Sequence, residues 1–102
     1  MAAVLHVLYP VLPGLDFDHD YYQTVHRAVV ERDWGPCGMM SMDMTRGLAR
    51  GTDSPAPYHM IAAVTFPDLD SLKSALEAGA AVRADIPNFF AGQPVMQIGE
   101  AI

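Results

Sequence analysis

The segment from Tyr58 to Phe66 constrains the fold more than any other part of the chain, because its side chains alternate in two sets. One set is Tyr58, Met60, Ala62, Val64 and Phe66, and the other is His59, Ile61, Ala63 and Thr65. Successive side chains of a β-strand point to opposite faces of a sheet, so this alternation predicts a strand.

Three further strands and two helices are predicted around this segment. Pro10 ends an apolar run, which predicts a strand before it. Met40, Met42 and Met44 alternate with polar residues, which predicts another. Trp34-Gly35-Pro36 is a helix stop signal. Asp16 or Asp18 can cap the first helix, and Asp68 or Asp70 the second. The predicted strands are Val4–Tyr9, Met39–Thr45, Tyr58–Phe66 and Val95–Glu100, and the predicted helices run to about Asp33 and from Pro67 to Gly79, with one more turn over Ala80–Asp85.

The order strand, helix, strand, strand, helix, strand is that of the ferredoxin-like α+β fold. It predicts a four-stranded antiparallel sheet with both helices on one face. The other face would then be bare, and packing it against a second copy of the chain would cover it. The chain has 102 residues, of which 51% are hydrophobic, which favours one domain over residues 1–102 and a homodimer.

Charge and composition exclude several classes of partner. The net charge is −6 and no Lys/Arg cluster exists, so we expect neither a nucleic acid nor a membrane surface as a partner. Cys37 is the single cysteine, so no internal disulfide can form. The start lacks the pattern of a signal peptide, and no apolar run is long enough to cross a bilayer. These features predict a cytoplasmic protein.

Short motifs distributed along nearly the whole chain resemble those of the EthD-like family. They are Tyr9-Pro10, Phe17-Asp18 with Tyr21-Tyr22 and His26, Trp34-Gly35, Tyr58-His59, Phe66, Asp85-Ile86-Pro87-Asn88-Phe89, Pro94 and Gln97-Ile98-Gly99. The resemblance implies a dimeric α+β barrel associated with oxidative breakdown of organic compounds, as in ethyl tert-butyl ether degradation beside a cytochrome P450 system. Barrels of this type include cofactor-free monooxygenases, isomerases and ring-forming or dehydrating enzymes.

His26 is the first candidate catalytic residue. On a helical wheel Phe17, Tyr21, Val25, Ala28 and Val29 share one side, and His26 lies at the edge of this apolar arc. An imidazole there could transfer a proton near neutral pH, with Tyr22 one turn earlier assisting it. The alternative is a half-buried histidine that bonds to a backbone carbonyl and holds the helix on the sheet.

Three other residues are candidates for substrate binding: Trp34, His59 and Phe89. With the flexible methionines, the aromatic rings would suit an apolar pocket that accepts varied shapes. His59 is equally compatible with a structural role at the dimer interface or in the barrel interior. His6 has the same ambiguity, whereas His19 is expected to be solvated at the helix start.

Asp85 and Asn88 bracket Ile86-Pro87, and we expect them to hold this turn by side-chain bonds to the backbone. Orientation of a histidine by Asp85 is the alternative. The sequence has no histidine pair with metal-ligand spacing, no nucleophile motif at Cys37 and no phosphate-binding loop. We therefore expect no metal and no cofactor.

Two functions remain open on the sequence. The first is action on, or binding of, a small hydrophobic organic compound in oxidative catabolism or secondary metabolism, cofactor-independent if catalytic. In that case the reaction would be that of a monooxygenase, isomerase or lyase. The second is a non-enzymatic accessory or ligand-binding homodimer that supports an oxygenase system.

Overall fold

The computed structural model describes every residue from Met1 to Ile102. Its strands are β1 (Ala3–Pro10), β2 (Ser41–Arg46), β3 (Tyr58–Phe66) and β4 (Val95–Glu100). They form one antiparallel sheet in the order β2-β3-β1-β4, with helical segments between them. This topology confirms the predicted ferredoxin-like α+β fold. The bounds of β3 and β4 are those predicted, and β2 begins two residues later than expected.

The first helical region consists of α1 (His19–Tyr21), a π-helical turn (Tyr22–His26) and α2 (Arg27–Trp34). Of the two predicted caps, Asp18 is the one used: its Oδ1 accepts a hydrogen bond from the amide of Tyr21 at 3.0 Å. A 3₁₀ turn (Gly35–Cys37) then ends at Gly38, whose φ of 100° lies in the left-handed region that glycine adopts without strain.

The buried face of this region differs from the predicted one. The buried side chains recur every fourth residue: Tyr22, His26, Val30 and Trp34. Val25, which was predicted to face the core, is 46% exposed. The prediction was wrong here because it assumed an unbroken α-helical period, whereas the π turn places an extra residue in one turn and rotates the face.

The second helical region begins at α3 (Leu69–Glu77), where Oδ1 of Asp68 accepts from the amide of Ser71 at 2.7 Å. After Gly79 the chain continues as α4 (Ala80–Asp85) and a 3₁₀ turn (Ile86–Asn88). The guanidinium of Arg83 donates to the carbonyl of Leu76 at 2.7 Å, which holds α4 against the end of α3. Asp85 is thereby placed at the C-terminal end of a short, fixed helix.

Both helical regions cover one face of the sheet, and the core lies between them. Along β1 and β3 the buried residues alternate with half-buried ones, as expected for one covered face. Leu5, Val64 and Leu72 represent the aliphatic part of this core and are at most 2% exposed. At one end the core is aromatic, and it contains Tyr9, Phe17, Tyr22, Phe89 and Phe90, with ring centroids 5.1 to 6.1 Å apart.

The opposite face of the sheet carries no helix. The strand register aligns Ile61 with Leu8 on one side and Thr45 on the other, and it aligns Leu8 with Val95. Val95 is 51% exposed, and the apolar residues of β1 and β3 on this face are half-buried. We call this surface, centred on Ile61, the open sheet face. None of the helices has the length and apolar character that crossing a membrane would require.

Candidate functional site

His26 and Asp85 form a close pair between the two helical regions. Nδ1 of His26 lies 2.9 Å from Oδ2 of Asp85, and the exposed fractions of the two side chains are 3% and 11%. His26 is supplied by the π turn and Asp85 by the last residue of α4. The structural alternative in which His26 bonds to a backbone carbonyl is therefore not the arrangement found. Asp85 orients the histidine ring instead.

The other carboxylate oxygen of Asp85 is held by two further side chains. Oδ1 accepts from the hydroxyl of Tyr21 at 2.6 Å and from Nδ2 of Asn88 at 3.0 Å. Asn88 Nδ2 also lies 3.2 Å from the Tyr21 hydroxyl oxygen, which closes the network. Both oxygens of Asp85 are thus occupied by side chains, so the predicted bonds from Asp85 to the turn backbone are not made.

The environment fixes the protonation state of this pair. Burial raises the pKa of Asp85, but hydrogen bonds from Tyr21, Asn88 and His26 outweigh burial and hold this pKa below its ordinary value. Burial lowers the pKa of His26, and Asp85 offsets only part of that shift. At neutral pH an ionised Asp85 accepts from Nδ1–H of a neutral His26, which leaves the lone pair on Nε2.

Aromatic rings enclose the imidazole of His26. The ring of Tyr22 stacks on it at 5.3 Å with an interplanar angle of 28°, and the ring of Phe89 lies 4.5 Å away. Burial raises the pKa of Tyr22 well above its ordinary value, so its hydroxyl stays protonated. The structure therefore brings together three of the predicted site residues: His26, Tyr22 and Phe89.

The remaining two predicted site residues lie elsewhere. Trp34 is at the far end of α2, about 12 Å along the helix from His26, and packs on Phe66. His59 stacks on Phe17, with centroids 5.6 Å apart and an interplanar angle of 16°. It occupies the irregular end of β3, where the pairing with β1 shifts register next to Tyr9.

Two surface clefts share Arg46 in their linings. The smaller, which we call the π-turn cleft, has a volume of about 230 Å³ and is lined by Gln23, Arg27, Met44, Arg46 and Met60. The larger, which we call the loop cleft, has a volume of about 500 Å³ and is lined by residues 45–50, 56–58 and 61. Gln23 and Arg27 flank His26 along the chain, so the π-turn cleft opens at the turn that carries the histidine.

Tyr21 and Asn88 are members of the site that the sequence did not indicate as partners of His26. In a regular α-helix, residues five apart, such as Tyr21 and His26, differ by about 140° around the axis, so they face different directions. In the π turn the amide of Arg27 donates to the carbonyl of Tyr22, five residues earlier. This wider turn allows Tyr21 and His26 to reach the same carboxylate. No cluster of three or more His, Cys, Asp or Glu side chains is placed to hold a metal ion.

Comparison with known proteins agrees with this description. The EthD domain family matches residues 14–93. An EthD-like protein from Ralstonia eutropha JMP134 is 28% identical, covers 97% of this chain and 90% of its own, and superposes with a TM-score of 0.87. An ethyl tert-butyl ether degradation (EthD) family protein from Bacillus halodurans C-125 is 21% identical over 100% of both chains, with a TM-score of 0.78.

A more distant fold relative is HapK from Hahella chejuensis, which is 16% identical and has a TM-score of 0.62 over 100% of this chain and 93% of its own. No protein with curated function matches the chain. The EthD match includes the π turn, His26, Asp85 and Asn88, and thus every residue of the hydrogen-bonded network. The chain is therefore a member of the EthD domain family.

Proposed function

We propose that this EthD protein binds a small hydrophobic organic molecule and acts on it by proton transfer at His26, without a cofactor. The observation that carries the proposal is the 2.9 Å contact between Nδ1 of His26 and the carboxylate of Asp85, enclosed by the ring of Tyr22. A histidine whose second nitrogen is held by a carboxylate is fixed in one tautomer and one orientation, as a general base requires.

The chemistry follows from the protonation state. Nε2 of a neutral His26 can take a proton from an acidic C–H or O–H group of the ligand, and Asp85 stabilises the imidazolium that forms. Return of the proton to another atom of the same ligand isomerises it, and delivery to a departing hydroxyl dehydrates it. Proton removal would likewise start a cofactor-independent reaction with oxygen. In each case Tyr22 assists by packing against the imidazole ring.

The π-turn cleft is the proposed entry for the ligand. Its apolar wall is formed by the thioethers of Met44 and Met60, which adapt to varied shapes. Phe89 would contact the ligand beside His26, and His59 would lie at the mouth. Trp34 packs on Phe66 away from this region, so we assign it to the core rather than to the ligand.

A homodimer completes the proposal. The open sheet face presents apolar residues on β1, β3 and β4 that no element of the same chain covers. Packing this face against its equivalent in a second copy gives a closed, two-sheet barrel and an isologous interface. The low charge of the chain, 18% of its residues, suits such an interface.

The competing function is a ligand-binding or accessory homodimer without catalysis. One observation favours it: His26 is only 3% exposed and is not among the residues that line the π-turn cleft. In that case the His26–Asp85 pair holds the two helical regions together, and the cleft binds a ligand without converting it.

Titrations monitored by ¹⁵N-HSQC spectra with indole and with ethyl tert-butyl ether test the proposed binding. We expect shifts at Gln23, Met60 and Phe89, and none at the loop residues Gly51–Ser54. Native mass spectrometry of gently purified protein would identify any natural ligand that remains bound. If a saturating concentration of each probe causes no chemical-shift change near His26, the proposed site is refuted.

The variant His26→Asn separates the two functions once a converted ligand is known. A catalytic role predicts that turnover is lost while the dissociation constant stays within about threefold. Wild-type turnover in a folded His26→Asn protein would remove His26 from the mechanism, and binding without any turnover in the wild type would establish the accessory function.

A further inference from the structure

Two buried imidazole nitrogens near the π-turn cleft have no hydrogen-bond partner. They are Nδ1 of His19, the first residue of α1, and Nε2 of His59 on β3. Such a nitrogen has lost its contact with water without gaining a replacement, which is costly unless something else fills the position. The sequence predicted that His19 is solvated, but its Nδ1 atom is buried and has no hydrogen-bond partner.

The two histidines belong to one cluster that is organised by Phe17. The ring of Phe17 lies 4.8 Å from that of His19 and stacks on that of His59 at 5.6 Å. The two imidazole centroids are 6.3 Å apart with their planes nearly perpendicular. The imidazoles of His19 and His59 therefore both pack on Phe17. Each has a nitrogen without a hydrogen-bond partner beside the aromatic end of the core.

Arg46 adds a positive charge to this cluster. Burial, then Arg46 and His59, lower the pKa of His19, which shows that both groups are close to its ring. Arg46 lines the π-turn cleft and is absent from the three ion pairs of the structure, which involve His26, Arg27 and Arg32. Its guanidinium is therefore free to bind an anion.

Backbone pairing places Arg46 and His59 at neighbouring positions of β2 and β3. The amide of Gly47 donates to the carbonyl of His59 at 3.0 Å, which extends the β2–β3 ladder past Arg46. A Cβ atom at Gly47 would lie 2.0 Å from the carbonyl oxygen of Tyr58, so only glycine permits this close approach. The backbone positions that carry Arg46 and His59 are thus held side by side.

We propose that His19, His59 and Arg46 together bind the anionic oxygen, a carboxylate or a phenolate, of an organic ligand whose apolar part lies in the π-turn cleft. This inference rests on the proposed function, that the chain binds a small organic molecule. The two imidazoles donate N–H bonds to the anion, and Arg46 neutralises its charge. The volume of about 230 Å³ suits a ligand with one ring.

Two acidic residues, Asp18 and Asp20, also lie near the cluster. Asp20 and Asp18 each favour the charged form of His19, but each of these effects is smaller than that of burial, of Arg46 or of His59. The Oδ1 atom of Asp18 is also occupied by the amide of Tyr21 as the helix cap. Arg46, which has no ion-pair partner, therefore remains the positive charge available to an anion on a protein whose net charge is −6.

Sodium benzoate is the probe and benzamide its neutral counterpart of the same shape. We expect benzoate to bind about tenfold more tightly than benzamide, and Arg46→Gln to weaken benzoate binding by about tenfold. His19→Asn and His59→Gln should each weaken it by about threefold. Arg50→Gln is the matched control, because Arg50 lines only the loop cleft, and it should leave benzoate binding unchanged.

The titration is followed by ¹⁵N shifts of the imidazoles, and each variant is first checked for a wild-type-like HSQC spectrum. Equal affinity for benzoate and benzamide would overturn the inference, as would an equal effect of Arg50→Gln and Arg46→Gln. Zinc chloride that shifts both imidazoles when benzoate does not would also overturn it, since the pair would then be a metal site. If indole binds while benzoate does not, the anion site fails and the proposed function stands; if neither binds, both fail.

Discussion

The carboxylate of Asp85 contacts Nδ1 of His26 at 2.9 Å across 59 residues of sequence. The contact joins the π turn of the first helical region to the last residue of α4. Because Tyr21 and Asn88 hold the other oxygen of the same carboxylate, one acidic side chain connects three segments of the chain. The stability of the fold and the proposed proton transfer therefore depend on the same residue.

Loss of the Asp85 carboxylate should destabilise the fold. Asp85→Ala removes hydrogen bonds to His26, Tyr21 and Asn88 and leaves a buried histidine without its partner, so we expect a loss of about 2–4 kcal/mol. Chemical denaturation measures the free energy of unfolding. Asp53→Ala, in an exposed loop, is the matched control and should be neutral. An unchanged free energy of unfolding in Asp85→Ala would show that the network contributes nothing to the fold.

Acid should weaken the protein in two steps. Burial lowers the pKa of His26 from its ordinary value of 6.5, so the unfolded chain binds a proton at a higher pH than the folded chain. Stability from this group is thus present above about pH 6.5 and lost as the pH falls through the folded pKa, at a slope of at most about 1.4 kcal/mol per pH unit. His19, whose pKa is also lowered, acts in the same direction.

The second step comes from Asp85, whose folded pKa lies below the ordinary 3.8, so its contribution is lost in stronger acid. Measuring the free energy of unfolding between about pH 4 and about pH 8, on either side of the ordinary histidine pKa, isolates the first step. We expect His26→Gln to flatten this profile. A profile as steep in the variant as in the wild type would mean that His26 does not titrate between the two states.

The pKa of the Tyr21 phenol should depend on the carboxylate of Asp85. Its hydrogen bond to Asp85 raises the pKa of Tyr21 above the ordinary 10.0. In Asp85→Asn we expect the Tyr21 pKa to fall towards that value, because the negative charge next to the phenol is gone. Ultraviolet difference titration measures the change, and Tyr21→Phe identifies the step that belongs to this residue. A step that does not move in Asp85→Asn would contradict the 2.6 Å contact.

The oligomeric state should depend on the open sheet face. Ile61 is at the centre of that face, between Leu8 and Thr45. A lysine there would place an unpaired charge in the proposed interface, so Ile61→Lys should convert the proposed dimer to a folded monomer. Analytical ultracentrifugation gives the mass in solution. Val25→Lys, at an exposed apolar position on the π turn, should remain dimeric. A dimeric Ile61→Lys protein would place the interface elsewhere.

The sequence by itself determined the fold class and most of its elements. Alternation along Tyr58–Phe66, capping by Asp18 and Asp68, and the stop at Gly35-Pro36 all act over a few residues, so local patterns were sufficient to locate them. The motifs around His26 and Asp85 also indicated the family. These features are local in the chain, and their physical causes are local as well.

Only the tertiary structure decided how the candidate site is assembled. Helical periodicity predicted Val25 as a buried residue and did not indicate that Tyr21 and His26 share a partner, because it assumed an unbroken α-helix where the structure has a π turn. Whether Asp85 bonds to its own turn or to a distant histidine depended on the packing of α4 against the first helical region. Likewise, the unpartnered nitrogens of His19 and His59 are a consequence of burial, which arises only when distant segments meet.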